Sequence, residues 1–194
     1  MMLRIGGFGA IAGGISWLMG LAAASAFPGE PAWLVPLALG TVALLLALIG
    51  LSAFQAQRDP RLAWAAFAIP AIGALISVVG LVGMLFAPNT DAPILGSMSA
   101  WAVWFVGLLA MVVGSILFAL ATIRAAVFSR RAAQLLAISA SVMVIAFLGG
   151  VEDNSGTGGK WLLFAAIVVT FAGSWVWLGV MALRRDPIRA ITPA

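Results

Sequence analysis

The sequence contains no cysteine, no histidine and no tyrosine, and each absence excludes a class of chemistry. Without cysteine there is no disulfide, no thiolate metal site and no thiol nucleophile. Without histidine the chain lacks the usual haem and zinc ligand and the commonest general base. We therefore expect no metal, no cofactor and no catalytic residue, and we expect that the protein is not an enzyme.

Charged residues are also scarce, since they make up 8% of the 194 residues while 64% are apolar. An ordinary soluble domain carries about 25% charged residues. The few charges of this chain cannot cover a globule with a polar surface, and the net charge of +4 is too small to indicate a nucleic-acid partner. The composition predicts an integral membrane protein whose main partners are membrane lipids.

Six apolar runs are each long enough to cross about 30 Å of hydrocarbon, and none contains a charged residue. Because lipid cannot hydrogen-bond a bare peptide group, each run must be a helix. No gap between runs is large enough for a second domain, so residues 1–194 are predicted to form one all-α bundle of three helical hairpins. The expected spans are Ile5–Phe27, Ala32–Phe54, Leu62–Phe86, Trp101–Ile123, Ala132–Val151 and Trp161–Leu183.

The basic residues predict how the bundle is oriented. With six spans, every arginine falls on one side of the membrane and Lys160 alone on the other. The side richer in basic residues is normally cytoplasmic, so both termini are predicted to be cytoplasmic, in a bacterial inner membrane. Indole rings prefer the headgroup level of a membrane. Four tryptophans fall at the helix ends on the side away from the arginines: Trp33, Trp101, Trp104 and Trp161.

The first span has an alternative interpretation as a cleaved secretory signal. Arg4, an apolar stretch and the small residues Ala24, Ser25 and Ala26 fit that pattern. The apolar stretch is longer than the 7–15 residues typical of such signals, which favours a retained helix. Cleavage would leave five spans.

Small residues recur every four positions along the first span, at Ala12, Ser16, Gly20 and Ala24. Such a stripe lets helix backbones approach closely in lipid. We interpret it mainly as packing within the bundle, and the alternative is docking to another membrane subunit.

Three tryptophans, Trp17, Trp175 and Trp177, lie away from the predicted interfaces. They are candidates for the wall of a pocket for an apolar or planar ligand, although we favour core packing or lipid contact as their role. The basic residues Arg124, Arg130 and Arg131 surround a short apolar segment and are candidates for contact with anionic lipid headgroups.

The segment Gly114–Ala126 (GSILFALATIRAA), followed by Arg130-Arg131-Ala132-Ala133, resembles small six-helix membrane proteins of bacteria. The glycine-rich plan of three hairpins is similar to that of the HdeD family, which implies a link to acid stress. The resemblance covers most of the chain in hydropathy but few residues in identity, and it assigns no functional residues.

These observations favour a non-enzymatic accessory, scaffold or stress-related bundle that packs with itself or with a larger membrane complex. Because no span contains an ionisable residue, ion-coupled transport of polar solutes is disfavoured. One alternative is a binding or transport module for an apolar small molecule. An intramembrane enzyme is a third interpretation, and it would need a serine nucleophile without histidine or a pair of carboxylates such as Glu152 and Asp153.

Overall fold

The structure, a computed structural model, contains six long helices in one bundle and describes residues 1–27, 30–86, 93–149 and 158–184, with backbone alone for 158–161. Each helix packs against its neighbours in sequence, and the last packs against the first, which closes the ring. The helices are α1 (Met2–Ala26), α2 (Leu34–Gln55), α3 (Pro60–Phe86), α4 (Ala100–Ala125), α5 (Arg130–Leu148) and α6 (Gly158–Leu183).

All six helices are long and apolar enough to cross a membrane. The shortest, α5, has 19 residues and is about 29 Å long, which still matches the hydrocarbon thickness. Large apolar side chains are exposed all around the bundle, for example Leu39 (62%), Ile72 (57%) and Ile138 (61%). Such a surface suits lipid and not water. The predicted all-α bundle of six spans is confirmed, and the chain is a multi-pass membrane protein.

Helix ends are set by capping residues and differ by a few residues from the predicted spans. The Asp59 carboxylate accepts a hydrogen bond from the Leu62 amide at 3.0 Å, at the start of α3. Ser99 caps α4 in the same way, by accepting from the Ala102 amide at 3.2 Å. With these caps, α3 begins at Pro60 and α4 at Ala100, slightly before the predicted spans, which began at Leu62 and Trp101. At the other extreme α5 ends at Leu148, three residues before the predicted Val151, which lies outside the described residues.

A short hairpin that the sequence did not predict lies between α3 and α4. Strand β1 (Pro93–Leu95) pairs antiparallel with β2 (Met98–Ser99). Gly96, at the turn, has a φ of 60°, a conformation that glycine adopts without strain. Ser97 beside it is exposed.

Glycine brings α1 close to both of its neighbours. On one face, a Cβ at Gly9 would lie 2.8 Å from the Ala43 carbonyl oxygen of α2. On another face, a Cβ at Gly14 would lie 2.6 Å from the Ala172 carbonyl oxygen of α6. No larger residue fits at either position without moving a backbone, so α1 is held between α2 and α6 by backbone contact.

Helices α3 and α4 form a second close pair. Gly73 and Gly80 on α3, and Gly107 and Gly114 on α4, are each seven residues apart and face the partner backbone. A Cβ at Gly114 would lie 2.6 Å from the Cα of Pro70, the proline inside α3. Pro70 is therefore buried in this contact, where it helps to shape the bundle.

Large side chains from the remaining helix faces fill the interior. The fully buried ones come from α2 to α6 and include Leu44, Leu48, Leu81, Leu108, Met111, Phe118, Leu136, Met143, Phe171, Trp175 and Leu178. The two ends of the bundle differ in composition. We call the end with the α2–α3 and α4–α5 turns the arginine end, and the end with the α3–α4 hairpin the tryptophan end.

Candidate functional site

The candidate apolar pocket does not bring its three tryptophans together. Trp17 and Trp175 are buried, at 3% and 1% exposure, whereas Trp177 is 38% exposed at the bundle surface. The Trp17 ring packs on Phe171 with centroids 5.6 Å apart, and Trp175 stacks on Phe118 at 5.7 Å. Since Phe171 and Trp175 are one helical turn apart on α6, the two ring pairs form one buried aromatic cluster that fills the core.

The small-residue stripe of α1 lies partly inside the bundle. Gly20 is buried, and a Cβ there would meet Leu37 of α2 at 3.5 Å. The Ser16 Cβ lies close to Gly40, where an added Cβ would be 3.0 Å away. Ala24 is half-buried and Ala12 is exposed. Two of the four members therefore pack against α2, and Ala12 faces outward.

The three arginines predicted to contact lipid headgroups surround the α4–α5 turn. Arg124, Arg130 and Arg131 are all exposed, while Val127 and Phe128 between them are buried at 2% and 5%. The turn depends on Ala126, which has a φ of 50°, and on Ser129, whose hydroxyl accepts from the Ala132 amide. This arrangement leaves the guanidinium groups free to reach anionic headgroups at the arginine end.

Buried hydroxyls are mostly bonded to carbonyls of their own helix. Thr41 donates to the Leu37 carbonyl, Ser115 to Met111 and Thr122 to Phe118, each at 2.8 Å. Ser174 donates to Phe171 at 2.6 Å, and its oxygen lies 3.3 Å from that of Ser139. Back-bonding of this kind satisfies a hydroxyl in lipid and does not activate it as a nucleophile.

Gln55 is the buried polar residue that the sequence interpretation missed. The predicted second span ends at Phe54, but α2 includes Gln55 and buries it to 1% exposure. Its Nε2 donates to the Thr122 hydroxyl of α4 at 2.5 Å. Among the described residues, the Gln55 Oε1 and the hydroxyl of Ser52, one turn earlier, have no hydrogen-bond partner.

The burial of Gln55 could have been predicted from the helical periodicity of α2. The buried positions of α2 recur at three- and four-residue spacing through Thr41, Leu44, Leu48 and Ser52. The next position in that series is Gln55. Continuing the helix by one residue would have placed its amide on the buried face.

A second group of aromatic side chains joins the helices at the tryptophan end. Trp33, before α2, packs on Trp104 of α4 at 5.9 Å, so these rings connect helices that are not consecutive. The contacts continue through Trp101, Phe105, Phe147 and Phe164. The prediction placed Trp33, Trp101 and Trp104 at this level, and the side chain of Trp161 lies outside the described residues.

Neither a metal cluster nor a buried charge is present in the described part of the chain. No group of three or more aspartates and glutamates that could hold a metal ion occurs there. The ionisable side chains that the structure describes are all exposed: Arg4, Glu30, Arg58, Asp59, Arg61, Arg124, Arg130, Arg131 and Arg184. Glu152 and Asp153 lie outside the described residues.

An open groove of about 780 Å³ lies on the outer surface between α1 and α2. Arg4 is the one charged residue among its lining side chains. The lining residues are Met1, Arg4, Ile5, Phe8, Gly9, Ala12, Ala43 and Leu46.

Comparisons with family models, with curated proteins and with solved structures find no match for this chain. Functional interpretation therefore depends on the chain's own geometry.

Proposed function

We propose that the protein is a non-enzymatic scaffold or accessory protein of a bacterial cytoplasmic membrane, which acts by lateral association with itself or with a larger membrane complex. The arginine end then faces the cytoplasm, by the positive-inside rule. The resemblance to the HdeD family would add a role in stress, and this part of the proposal stays a prediction.

The observation that carries the proposal is that most hydroxyl groups inside the bundle are hydrogen-bonded to other groups of the bundle. Most of the buried hydroxyls that the structure describes, such as those of Thr41, Ser115 and Thr122, donate to carbonyls of their own helix, and Gln55 links α2 to α4. Large side chains fill the interior, and the described charges are at the ends. The parts of the molecule available for interaction are accordingly its apolar outer surface and its charged ends.

The experiment is to extract the tagged protein from native membranes in polymer-bounded discs and to measure the mass of the protein in each particle. We expect a mass greater than that of one chain, either a multiple of 20.0 kDa or a complex with other subunits. Particles that contain one 20.0 kDa chain and no other protein would overturn the proposal.

Cross-linking tests whether α1 is the associating helix. The chain has no native cysteine, so a single cysteine can be placed at Ile15, which is 46% exposed on α1. Ile138 on α5 is 61% exposed and serves as the matched control. We expect disulfide-linked or subunit-linked products from Ile15→Cys and none from Ile138→Cys. The opposite pattern would place the contact on another helix.

A further inference from the structure

The α1–α2 groove is recessed because its central lining residues are small. Because Gly9 has no side chain, the backbones of α1 and α2 lie in close contact there. A Cβ at Gly9 would lie 2.8 Å from both the Ala43 oxygen and the Ala47 nitrogen. Ala12 and Ala43 also line the groove and add little bulk, whereas Phe8 (63% exposed) and Leu46 (47%) are large. The groove has a volume of about 780 Å³ and opens on the outer surface of the bundle.

The charge of the groove is confined to the arginine end. Arg4 is exposed and, among the described residues, its guanidinium forms no ion pair, while the other lining side chains are apolar. An occupant that matches this lining has an anionic group at one end and a hydrocarbon body.

The length of the groove matches one leaflet of a bilayer. Arg4 and Ala12 are eight residues apart on α1, which corresponds to about 12 Å of helix rise. The hydrocarbon of one leaflet is half of about 30 Å. A groove that starts at an arginine at the headgroup level therefore runs through most of one leaflet.

We propose that the α1–α2 groove binds one anionic phospholipid of the surrounding leaflet. The Arg4 guanidinium contacts the headgroup phosphate, and an acyl chain lies against Phe8, Ala12, Ala43 and Leu46. This site is separate from the arginines of the α4–α5 turn, and it does not depend on the proposed scaffold function.

The test is native mass spectrometry of the full chain in detergent, titrated with phosphatidylglycerol or with phosphatidylcholine of the same acyl chains. We expect the first phosphatidylglycerol to bind more tightly than the first phosphatidylcholine. Arg4→Gln should weaken that first binding step about fivefold, the factor that corresponds to one basic side chain near an anionic surface. Arg61→Gln removes an exposed arginine that does not line the groove, and it should leave the step unchanged.

A second pair of variants tests the apolar part of the site. Ala12→Leu fills the groove and should weaken binding of both lipids, whereas Ala22→Leu adds the same bulk to another exposed position of α1 and should not. Thermal unfolding confirms that each variant is folded. If Ala12→Leu does not fold, the comparison of Arg4→Gln with Arg61→Gln decides whether the groove binds the lipid.

Three outcomes would overturn the proposal. The first is that Arg4→Gln and Arg61→Gln weaken the first phosphatidylglycerol binding step by the same factor. The second is unchanged binding in a folded Ala12→Leu. The third is a dimer that Ala12→Leu abolishes while Arg4→Gln leaves lipid binding intact, because a second copy would then occupy the groove. Native-membrane particles that contain one chain and no other protein, while the purified chain still binds this lipid, would contradict the scaffold proposal alone.

Discussion

At the residue scale, glycine decides how close the helices of this protein come. A Cβ at Gly50 would lie 2.5 Å from the Gly6 nitrogen, and one at Gly179 would lie 2.6 Å from the Gly7 carbonyl oxygen. Lipid provides no hydrophobic drive for helix association, so close backbone packing supplies much of the stability. Gly173 is different, because an added Cβ there would have no neighbour within 4 Å.

This difference gives a prediction for two identical substitutions. Gly107→Ala would place a Cβ 2.7 Å from the Ser77 Cα and should lower the free energy of unfolding by about 1–3 kcal/mol, as overpacking does. Gly173→Ala should raise it by up to about 1 kcal/mol, because alanine is the better helix former. The measurement is reversible unfolding in mixed micelles, followed by circular dichroism. Equal effects of the two substitutions would show that the α3–α4 contact is not as close as the structure places it.

The sequence does not show which face of an apolar helix is turned toward the core and which toward lipid. Trp175 and Trp177 are both aromatic and two positions apart, yet one is buried against Phe118 and the other is 38% exposed. Composition alone does not distinguish them, since an apolar side chain suits both the core and lipid. For the same reason the candidate pocket could not be resolved from the sequence, whereas the exposure of Arg124, Arg130 and Arg131 could be expected from their charge.

At the scale of the elements, helix existence was predictable and helix ends were less so. The need to satisfy every peptide group in lipid requires a helix for each apolar run. The ends depend on side chains outside the apolar run, such as the Asp59 and Ser99 caps, or on a polar residue that stays buried, such as Gln55. The hairpin at 93–99 was missed because its strands are only three and two residues long.

The end of α4 gives a prediction in which neighbouring positions respond in opposite directions. Ala126 has a left-handed conformation (φ 50°, ψ 30°), which costs a residue with a Cβ roughly 1–2 kcal/mol. Ala126→Gly should therefore stabilise the protein by about 1 kcal/mol. Ala125→Gly, in the last position of the helix, should destabilise it by up to about 1 kcal/mol. Melting temperatures of the two variants in one detergent provide the measurement, and a loss of stability in Ala126→Gly would contradict the assigned turn.

At the scale of the whole molecule, some side-chain contacts connect helices that are not consecutive, in addition to the packing between neighbours that forms the ring. Trp33 packs on Trp104 at the tryptophan end, and Gln55 bonds to Thr122 at the arginine end. Both contacts connect α2, or the turn before it, to α4. The sequence gives the order of the spans but not these pairings, because many apolar side chains on α2 and α4 are equivalent in hydropathy. Hydropathy therefore predicts the number of helices better than it predicts which helix faces meet.

The different charge of the two ends leads to a prediction about orientation. The described residues of the arginine end include Arg4, Arg58, Arg61, Arg124 and Arg184, with Asp59 as an acid at that end. Transferring such an end across a membrane is unfavourable, so we expect it to remain in the cytoplasm. The α3–α4 hairpin then faces outward.

Single cysteines test this orientation directly, because the chain has none of its own. Ser97, in the hairpin, and Gln57, in the α2–α3 turn, are both exposed and lie at opposite ends. In intact cells, a membrane-impermeant maleimide should label Ser97→Cys and leave Gln57→Cys unlabelled until the membrane is permeabilised. Labelling of Gln57→Cys in intact cells, with protection of Ser97→Cys, would show that the orientation is the reverse of the predicted one. The α1–α2 lipid groove would then lie in the outer leaflet, because Arg4 lies at the same end as Gln57.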